Sequence, residues 1–378
     1  MLQPMTFDRL PTPCALVDLD RLERNATAMS ERARRLGVRL RPHVKTHKCF
    51  EAARLQTAGD FGGITVSTLA EARAFAAAGF RDITWAVPVA LDRLDDCADL
   101  ARRTEHLRVL VDHPLAVSGL EAFAAAQGLR FEVLLEVDCG HHRSGVDPDD
   151  PASFQLAASI GASPHLALAG ILTHAGQSYR CRSRAEAAEV ARHERDVMAA
   201  FAGRLRAAGI SVGEVSVGST PTVMAAEDLS GVTEVRPGNY LFFDAFQAAI
   251  GSCRLDEVAF SVLATVLGAY PERRKLVVNA GALALSKDPG PIHVDPSCGF
   301  GVVVDPGDQH PIAGLRVVSL SQEHGVLRCN RPLEPSWQPG SRLRILPNHA
   351  CLAAACFDRF HVVRGSEVVN EWRPARGW

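Results

Sequence analysis

The chain has 378 residues, 47% of them hydrophobic and 22% charged, with a formal net charge of −2. That is the make-up of an ordinary globular protein, too long for one small core and suited to a large barrel plus a second domain. The near-neutral balance excludes the basic bias of a nucleic-acid or membrane-surface binder, and the apolar stretches are too short and too broken by charges to span a bilayer.

In chain order, MLQPMTFDRLPTP lacks the basic start and apolar run of a signal peptide, and the ten cysteines show no framework spacing. Both point to a cytoplasmic protein with reduced thiols. Residues 15–19 are strand-like. Leu22, Ala26, Met29, Ala33 and Leu36 then recur at helical spacing, and Asp20 followed by Glu23 predicts the N-terminal cap of that helix. Strands are predicted at 39–43, 64–67, 83–87, 107–111, 131–137, 166–173, 215–217 and near 232–236. Helices are predicted at 50–58, 69–78, 91–103, 115–127, 151–160 and 184–208. Eight strands in repeated strand–helix units imply a parallel sheet closed into a (β/α)8 TIM-type barrel, the α/β class. After about residue 255 the texture changes to short β-type runs at 258–267, 276–279, 301–304, 315–320, 343–346, 361–363 and 368–371, punctuated by Pro, Gly and Asp. A barrel over 20–250 and a C-terminal all-β domain over 251–378, joined by 1–19, are expected.

Barrel enzymes keep their chemistry at the C-terminal ends of the strands and often bind phosphate on the loops after strands seven and eight. Here the first strand ends in Arg41-Pro42-His43-Val44-Lys45-Thr46-His47-Lys48. Gly218-Ser219-Thr220-Pro221-Thr222 follows the seventh and Pro237-Gly238-Asn239-Tyr240 the eighth. Glycine lets backbone approach a phosphate, and hydroxyls add donors. A lysine amine beside a phosphate-bearing cofactor is the arrangement of Schiff-base chemistry. His43 and His47 flank the lysine by two, and would share its face only if the segment stayed extended.

The stretches TPCALVDLDRLERN, RPHVKTHK, EVDCGHHRSGV, THAGQSY, VSVGSTPT, EVRPGNY and PNHAC occur in order from Thr12 to the C-terminus. Together they resemble the D-serine dehydratase and D-threonine aldolase family, fold-type III pyridoxal 5′-phosphate (PLP) enzymes built like alanine racemase. The resemblance implies that Lys45 carries PLP as a Schiff base. It implies that Gly218, Ser219, Thr220, Gly238 and Asn239 hold the phosphate, with Tyr240 also binding the cofactor. Arg143 would contact the ring side, with His174 and Tyr179 near the ring or substrate. It also implies a homodimer acting on a small D-amino acid.

In Leu346-Pro347-Asn348-His349-Ala350-Cys351, residues two apart on a strand point the same way, so His349 and Cys351 are expected to offer imidazole and thiolate to one ion. That pair suits zinc best, with manganese possible, and the family carries a divalent metal at this position. Cys356 and His361 are alternative ligands. Glu323-His324-Gly325 also resembles a family motif and places either an active-site histidine or a turn.

Two lyase reactions use these parts. A dehydratase eliminates the β-hydroxyl of a D-β-hydroxy amino acid to give a 2-oxo acid and ammonia. A D-threonine aldolase splits Cα–Cβ to give glycine and an aldehyde. The Gly-Ser-Thr-Pro-Thr loop and the His-x-Cys pair resemble the D-serine dehydratase branch, whereas the D-threonine aldolase branch more often shows Gly-Gly-Gly-Thr-Gly and His-x-Asp. An amino-acid racemase gains nothing from a metal, and a non-catalytic PLP carrier has no need of the β-domain.

Overall fold

The computed structural model describes residues 5–378. Strands β1 (Met5–Thr6) and β2 (Cys14–Asp18) lead into helix α1 (Leu19–Arg35). The cap of α1 is Asp18, whose Oδ1 accepts from Arg21 N at 3.0 Å. Asp20 lies inside the helix and pairs, like Glu23, with Arg364. The capping pattern was therefore displaced by two residues, because an aspartate at 18 already offers its carboxylate to the first helical turn.

Eight parallel strands follow: β3 (Arg39–Leu40), β4 (Ile64–Val66), β5 (Asp82–Pro88), β6 (His106–Val111), β7 (Phe131–Glu136), β8 (Leu166–Leu172), β9 (Glu214–Val217) and β10 (Glu234–Val235). Between them run α2 (Phe50–Thr57), α3 (Leu69–Ala77), α4 (Leu94–Ala101), α5 (Pro114–Gln127), α6 (Pro151–Ala162) and α7 (Arg184–Ala207). The six-residue α8 (Thr220–Ala225) separates β9 from β10. The sheet order is β3-β10-β9-β8-β7-β6-β5-β4. A parallel bridge between His43 and Thr65, with Thr65 N donating to Pro42 O at 2.9 Å, joins its ends and closes the barrel. The first strand is shorter than the expected 39–43, because Pro42 interrupts it and donates no ladder hydrogen bond.

One end of the barrel interior is ionic. Arg41 is fully buried and donates from Nε to Glu234 Oε2 at 2.9 Å and from Nη1 to Asp82 Oδ1 at 2.5 Å. Arg108 contacts Asp82 at 2.5 Å and Glu214 at 3.0 Å. Burial works against the charge on Glu234, yet Arg41 and Ser216 hold its carboxyl below the usual range. Buried charges are tolerated only when paired in this way. Ser216 Oγ donates to Glu234 at 2.5 Å and receives Arg236 Nη1 at 2.5 Å, which carries the network toward the strands' C-terminal ends.

The remaining strands are β11 (Phe260–Tyr270), β12 (Lys275–Val278), β13 (Val302–Val304), β14 (Pro311–Leu320), β15 (Gly325–Cys329), β16 (Arg342–Leu346), β17 (Phe360–Arg364) and β18 (Glu367–Trp372), with short helices α9 (Ala245–Ala249), α10 (Ala282–Leu285) and α11 (Ala350–Ala355). They form one sheet with β1 and β2, ordered β1-β18-β17-β2-β11-β12-β15-β14-β13-β16. An extra β11–β16 pairing closes six of these strands on themselves. Phe242, Phe260 and Phe360 pack ring to ring in this core, with Phe242 and Phe260 stacked at 5.2 Å.

The chain divides into two compact units, Met29–Gly238 with Ala375–Trp378 and Met1–Ala28 with Asn239–Pro374. The first holds the barrel and the second the antiparallel sheet. Among the described residues no helix is long and apolar enough to cross a membrane.

Candidate active site

In the barrel unit, the loops after the C-terminal ends of the strands carry the sequence-predicted residues. After β3 the chain turns into a one-turn 3-10 segment, Val44–Thr46, capped by His43, whose Nδ1 accepts from Lys45 N at 3.5 Å. The turn separates the two flanking histidines. His47 points into the core, with Nε2 on Gln56 Oε1 at 2.8 Å and Nδ1 accepting from Cys49 N at 3.0 Å. Lys48 stands at φ +55° and sets Nζ 2.9 Å from the buried Glu71. Lys45 is the lysine that this turn leaves exposed at the barrel end.

His43 and His174 share a field with Lys45 and Arg236. Burial first, and then these cations, hold both imidazoles well below their ordinary range. His174 leads the loop after β8, and its ring lies 6.5 Å from that of Tyr179 and 6.0 Å from that of His141. Arg143 follows β7, is exposed, and reaches Glu136 only at 3.9 Å. His141 was quoted within a motif but not singled out. Its neighbour Asp138 shapes the loop by accepting the backbone N–H groups of residues 140, 141 and 142.

Gly218, after β9, adopts φ +104°, and a Cβ there would lie 2.7 Å from Val223. Ser219 caps α8 in a reciprocal pair with Thr222, which places Thr220 at the first helical position. Gly238, after β10, packs so closely that a Cβ would meet His43 O at 2.8 Å. Both loops therefore reach the barrel end as bare backbone. Arg236, two residues before Gly238, is buried and donates to Ser216 and to Thr173 O. It lies inside the quoted EVRPGNY stretch, yet nothing in that spacing shows that it turns inward. A cradle that only glycine fits, a rim lysine and a buried arginine suit a phosphate-bearing aldehyde cofactor in charge and in shape.

In the sheet unit, His349 and Cys351 are not on a strand. β16 stops at Leu346 before Pro347, and His349 is the N-cap of α11. The expected same-face strand geometry is corrected here: Pro347 ends the ladder, and Ala350-Cys351-Leu352-Ala353-Ala354-Ala355 is a run of good helix formers. The two side chains nevertheless meet. Burial opposes the charge on His349, but hydrogen bonds to Asp288 and Cys351 push its imidazole up to about 11. His349 Nδ1 lies 2.9 Å from Asp288 Oδ2, which leaves Nε2 as the ring nitrogen for a metal. Asp244, fully buried, accepts from Asn239 Nδ2 at 2.7 Å and from Ala350 N at 2.9 Å. Asn239 Nδ2 also lies 3.8 Å from Cys351 Sγ, and Tyr240 is buried beside it in the chain. Among the described residues no three His, Cys, Asp or Glu side chains converge as a metal-holding group. The donor set is therefore one imidazole and one thiol, with a carboxylate orienting the imidazole, and it fits an ion that takes its other ligands from water and substrate. Asp288 lies 61 residues from His349 and has no motif spacing to announce it. Cys356 is exposed at the end of α11, and His361 lies in β17. His324 is exposed in the turn between β14 and β15.

The family model of the alanine racemase N-terminal domain matches residues 17–245, and that of the serine dehydratase domain matches residues 259–363. The chain is 43% identical to D-threo-3-hydroxyaspartate dehydratase from Delftia sp. (strain HT23), over 99% of each chain. It is 35% identical to D-serine dehydratase from Dictyostelium discoideum, over 98% of each. A solved structure of D-threo-3-hydroxyaspartate dehydratase, a cysteine-to-alanine variant in the metal-free form, superposes with a TM-score of 0.94 at 41% identity, covering 99% of this chain and 100% of that one.

Proposed function

The chain belongs to the D-serine dehydratase and D-threonine aldolase family of fold-type III PLP-dependent lyases, which act on D-β-hydroxy amino acids, and on that premise we propose that it is a metal-assisted dehydratase with Lys45 as its cofactor lysine. The observation that carries the reading is the setting of Lys45, on a turn at the barrel end beside His43, His174 and Arg236, while Lys48 is committed to Glu71. When bound, PLP supplies an electron-accepting ring, and a divalent ion supplies Lewis acidity toward a β-hydroxyl. In this reading the Lys45 amine takes the proton from the substrate Cα. His43 and His174, held neutral, exchange hydrogen bonds there without adding charge. Gly218, Ser219, Thr220 and Gly238 hold the phosphate, and the same role is proposed for Asn239 and Tyr240, which follow Gly238 in the chain. Arg143, His174 and Tyr179 stand toward the ring and substrate. His349 and Cys351 hold the ion, zinc by the softness of the pair, with manganese the alternative. Asp288 fixes the imidazole, and the metal-free state of the related cysteine-to-alanine variant supports a cysteine in this role.

The test is product analysis. D-serine or D-threo-3-hydroxyaspartate is expected to give a 2-oxo acid and ammonia in equal amounts. A chelator is expected to stop turnover while leaving the near-visible absorption of the bound cofactor, and zinc to restore it. Glycine and acetaldehyde formed from D-threonine at the higher kcat/KM replaces this reading with the aldolase one. Full activity in a metal-free preparation removes the role given to His349 and Cys351. The reading includes a homodimer, which light scattering checks.

A further inference from the structure

Among the buried residues of α7, namely Ala187, Ala191, Glu194, Met198, Phe201, Ala202 and Leu205, Glu194 is the one charged side chain. An apolar residue there would complete the stripe, so the carboxylate has a use. Its Oε1 accepts from Gly218 N at 3.0 Å and from Ala175 N at 3.3 Å. One oxygen thus ties the loop after β9 to the loop after β8. The Thr222 side chain bonds the same carboxylate. Thr222 Oγ1 also accepts from Ser219 N at 2.9 Å, and Ser219 Oγ lies 2.8 Å from Ser178 Oγ. Glu194 therefore stands directly behind the glycine loop.

The charged group facing Glu194 from the other strands is Arg236, and the ionisable thiol facing it is Cys139. Arg236 is shared with Glu234 and Glu136, so one guanidinium serves three acids. His43 and His174 also face Arg236. A phosphate on this loop would add negative charge close to a buried carboxylate, where like charges repel strongly. A protonated Glu194 removes the conflict without disturbing the loop. Its C=O still accepts from both amides, its O–H donates to Thr222 Oγ1, and the Thr222 hydroxyl hydrogen turns to Ser219 O, 3.2 Å away.

We infer that Glu194 is a positioning residue that shapes the phosphate loop and takes up a proton when a phosphate binds there. This rests on the reading that residues 218–220 hold the phosphate. Burial already places the Glu194 carboxyl above the usual carboxylate range, despite its hydrogen bonds and Arg236. Bound phosphate raises it further. Phosphate binding is then tightest where Glu194 is protonated beforehand and weakens as pH rises through the range between its free and bound values.

The experiment is calorimetric titration of the cofactor-free full chain with 4′-deoxypyridoxine 5′-phosphate, which carries the phosphate but no aldehyde for a lysine. Two buffers of different ionisation enthalpy count the protons. Glu194→Gln keeps the carbonyl acceptor and an N–H donor toward Thr222, and serves as the reference that cancels the probe's own ring and phosphate titration. Across about pH 5 to 9 the wild type is expected to take up as much as about one proton per site more than Glu194→Gln, and to weaken relative to it as pH rises by up to about tenfold per pH unit. Glu194→Ala orphans two amides and weakens binding roughly tenfold or more. Equal proton uptake in wild type and Glu194→Gln at every pH overturns the inference. Gly218→Val tells the two failures apart. If it binds the probe as wild type does, the phosphate reading falls. If it binds weakly while Glu194→Gln follows the wild type at every pH, the inference about Glu194 falls alone.

Discussion

Lys45 and Lys48 sit three positions apart on one loop, and their surroundings decide between them. Lys48 is held by Glu71 at 2.9 Å, so Lys48→Ala should keep the near-visible cofactor band that Lys45→Ala abolishes together with turnover. Loss of the band with the Lys48 variant alone would reverse the assignment. Lys45→Arg should also fail, because a guanidinium stays protonated. Asp288→Asn should lower metal affinity about 10–100-fold with the cofactor band intact, since the carboxylate orients His349; equilibrium dialysis reads it. His47 titrates instead in the stability of the fold, because burial pushes its imidazole down from 6.5 to about 4. The unfolded chain then binds the proton first, so the stability is complete above pH 6.5 and is lost as pH falls toward 4, by up to about 3 kcal/mol. Denaturant melts of wild type and His47→Gln across that range should show a shallower acid slope in the variant. The candidate lysine, glycines and His-x-Cys pair stand out in the sequence because each lies in a short contiguous motif. Asp288, Asp244, His141 and Arg236 do not, because their importance comes from contacts that chain spacing does not record.

At the scale of elements, the barrel strands were readable because β-rich runs alternate with helical periods, and their boundaries differ from expectation by at most three residues. The errors have local causes. The Asp20–Glu23 spacing suggests a cap at Asp20, but Asp18 does the capping. Asp18→Ala should therefore cost about 1 kcal/mol in thermal or denaturant unfolding, and the exposed Asp20→Ala much less. β15 was missed because Gly325 opens it and the run is only five residues long. The alternation of His349 and Cys351 suggests a strand, but the alanine-rich stretch behind them makes a helix. The helix brings the two side chains together by another route, so they meet although the expected strand geometry does not hold.

Over the whole molecule, none of the ten cysteines is joined in a disulfide. Thiol titration in denaturant without a reducing step should find ten, and in the native protein the exposed Cys356 should react first. The barrel owes its closed form to the His43–Thr65 bridge and fills one end with ions rather than the branched apolar layers usual in such folds. Arg41→Met alone should lower unfolding free energy by about 3–5 kcal/mol, because it takes the nearest cation from the fully buried Glu234. Adding Glu234→Leu should recover part of that loss, which denaturant titration would show.

That ionic interior also limits how this lineage can vary. Arg41, Asp82, Arg108, Glu214 and Glu234 come from five different strands or strand ends, and each charge is tolerated because another answers it. A single replacement passes through a poorly folded ancestor, so drift at these positions has to proceed by coordinated exchanges or not at all. At the opposite end the exposed loop residues, such as Arg143, are not locked into such a network. Novel substrate preferences can therefore arise one codon at a time at the rim, while the floor beneath keeps its sequence as an inherited block.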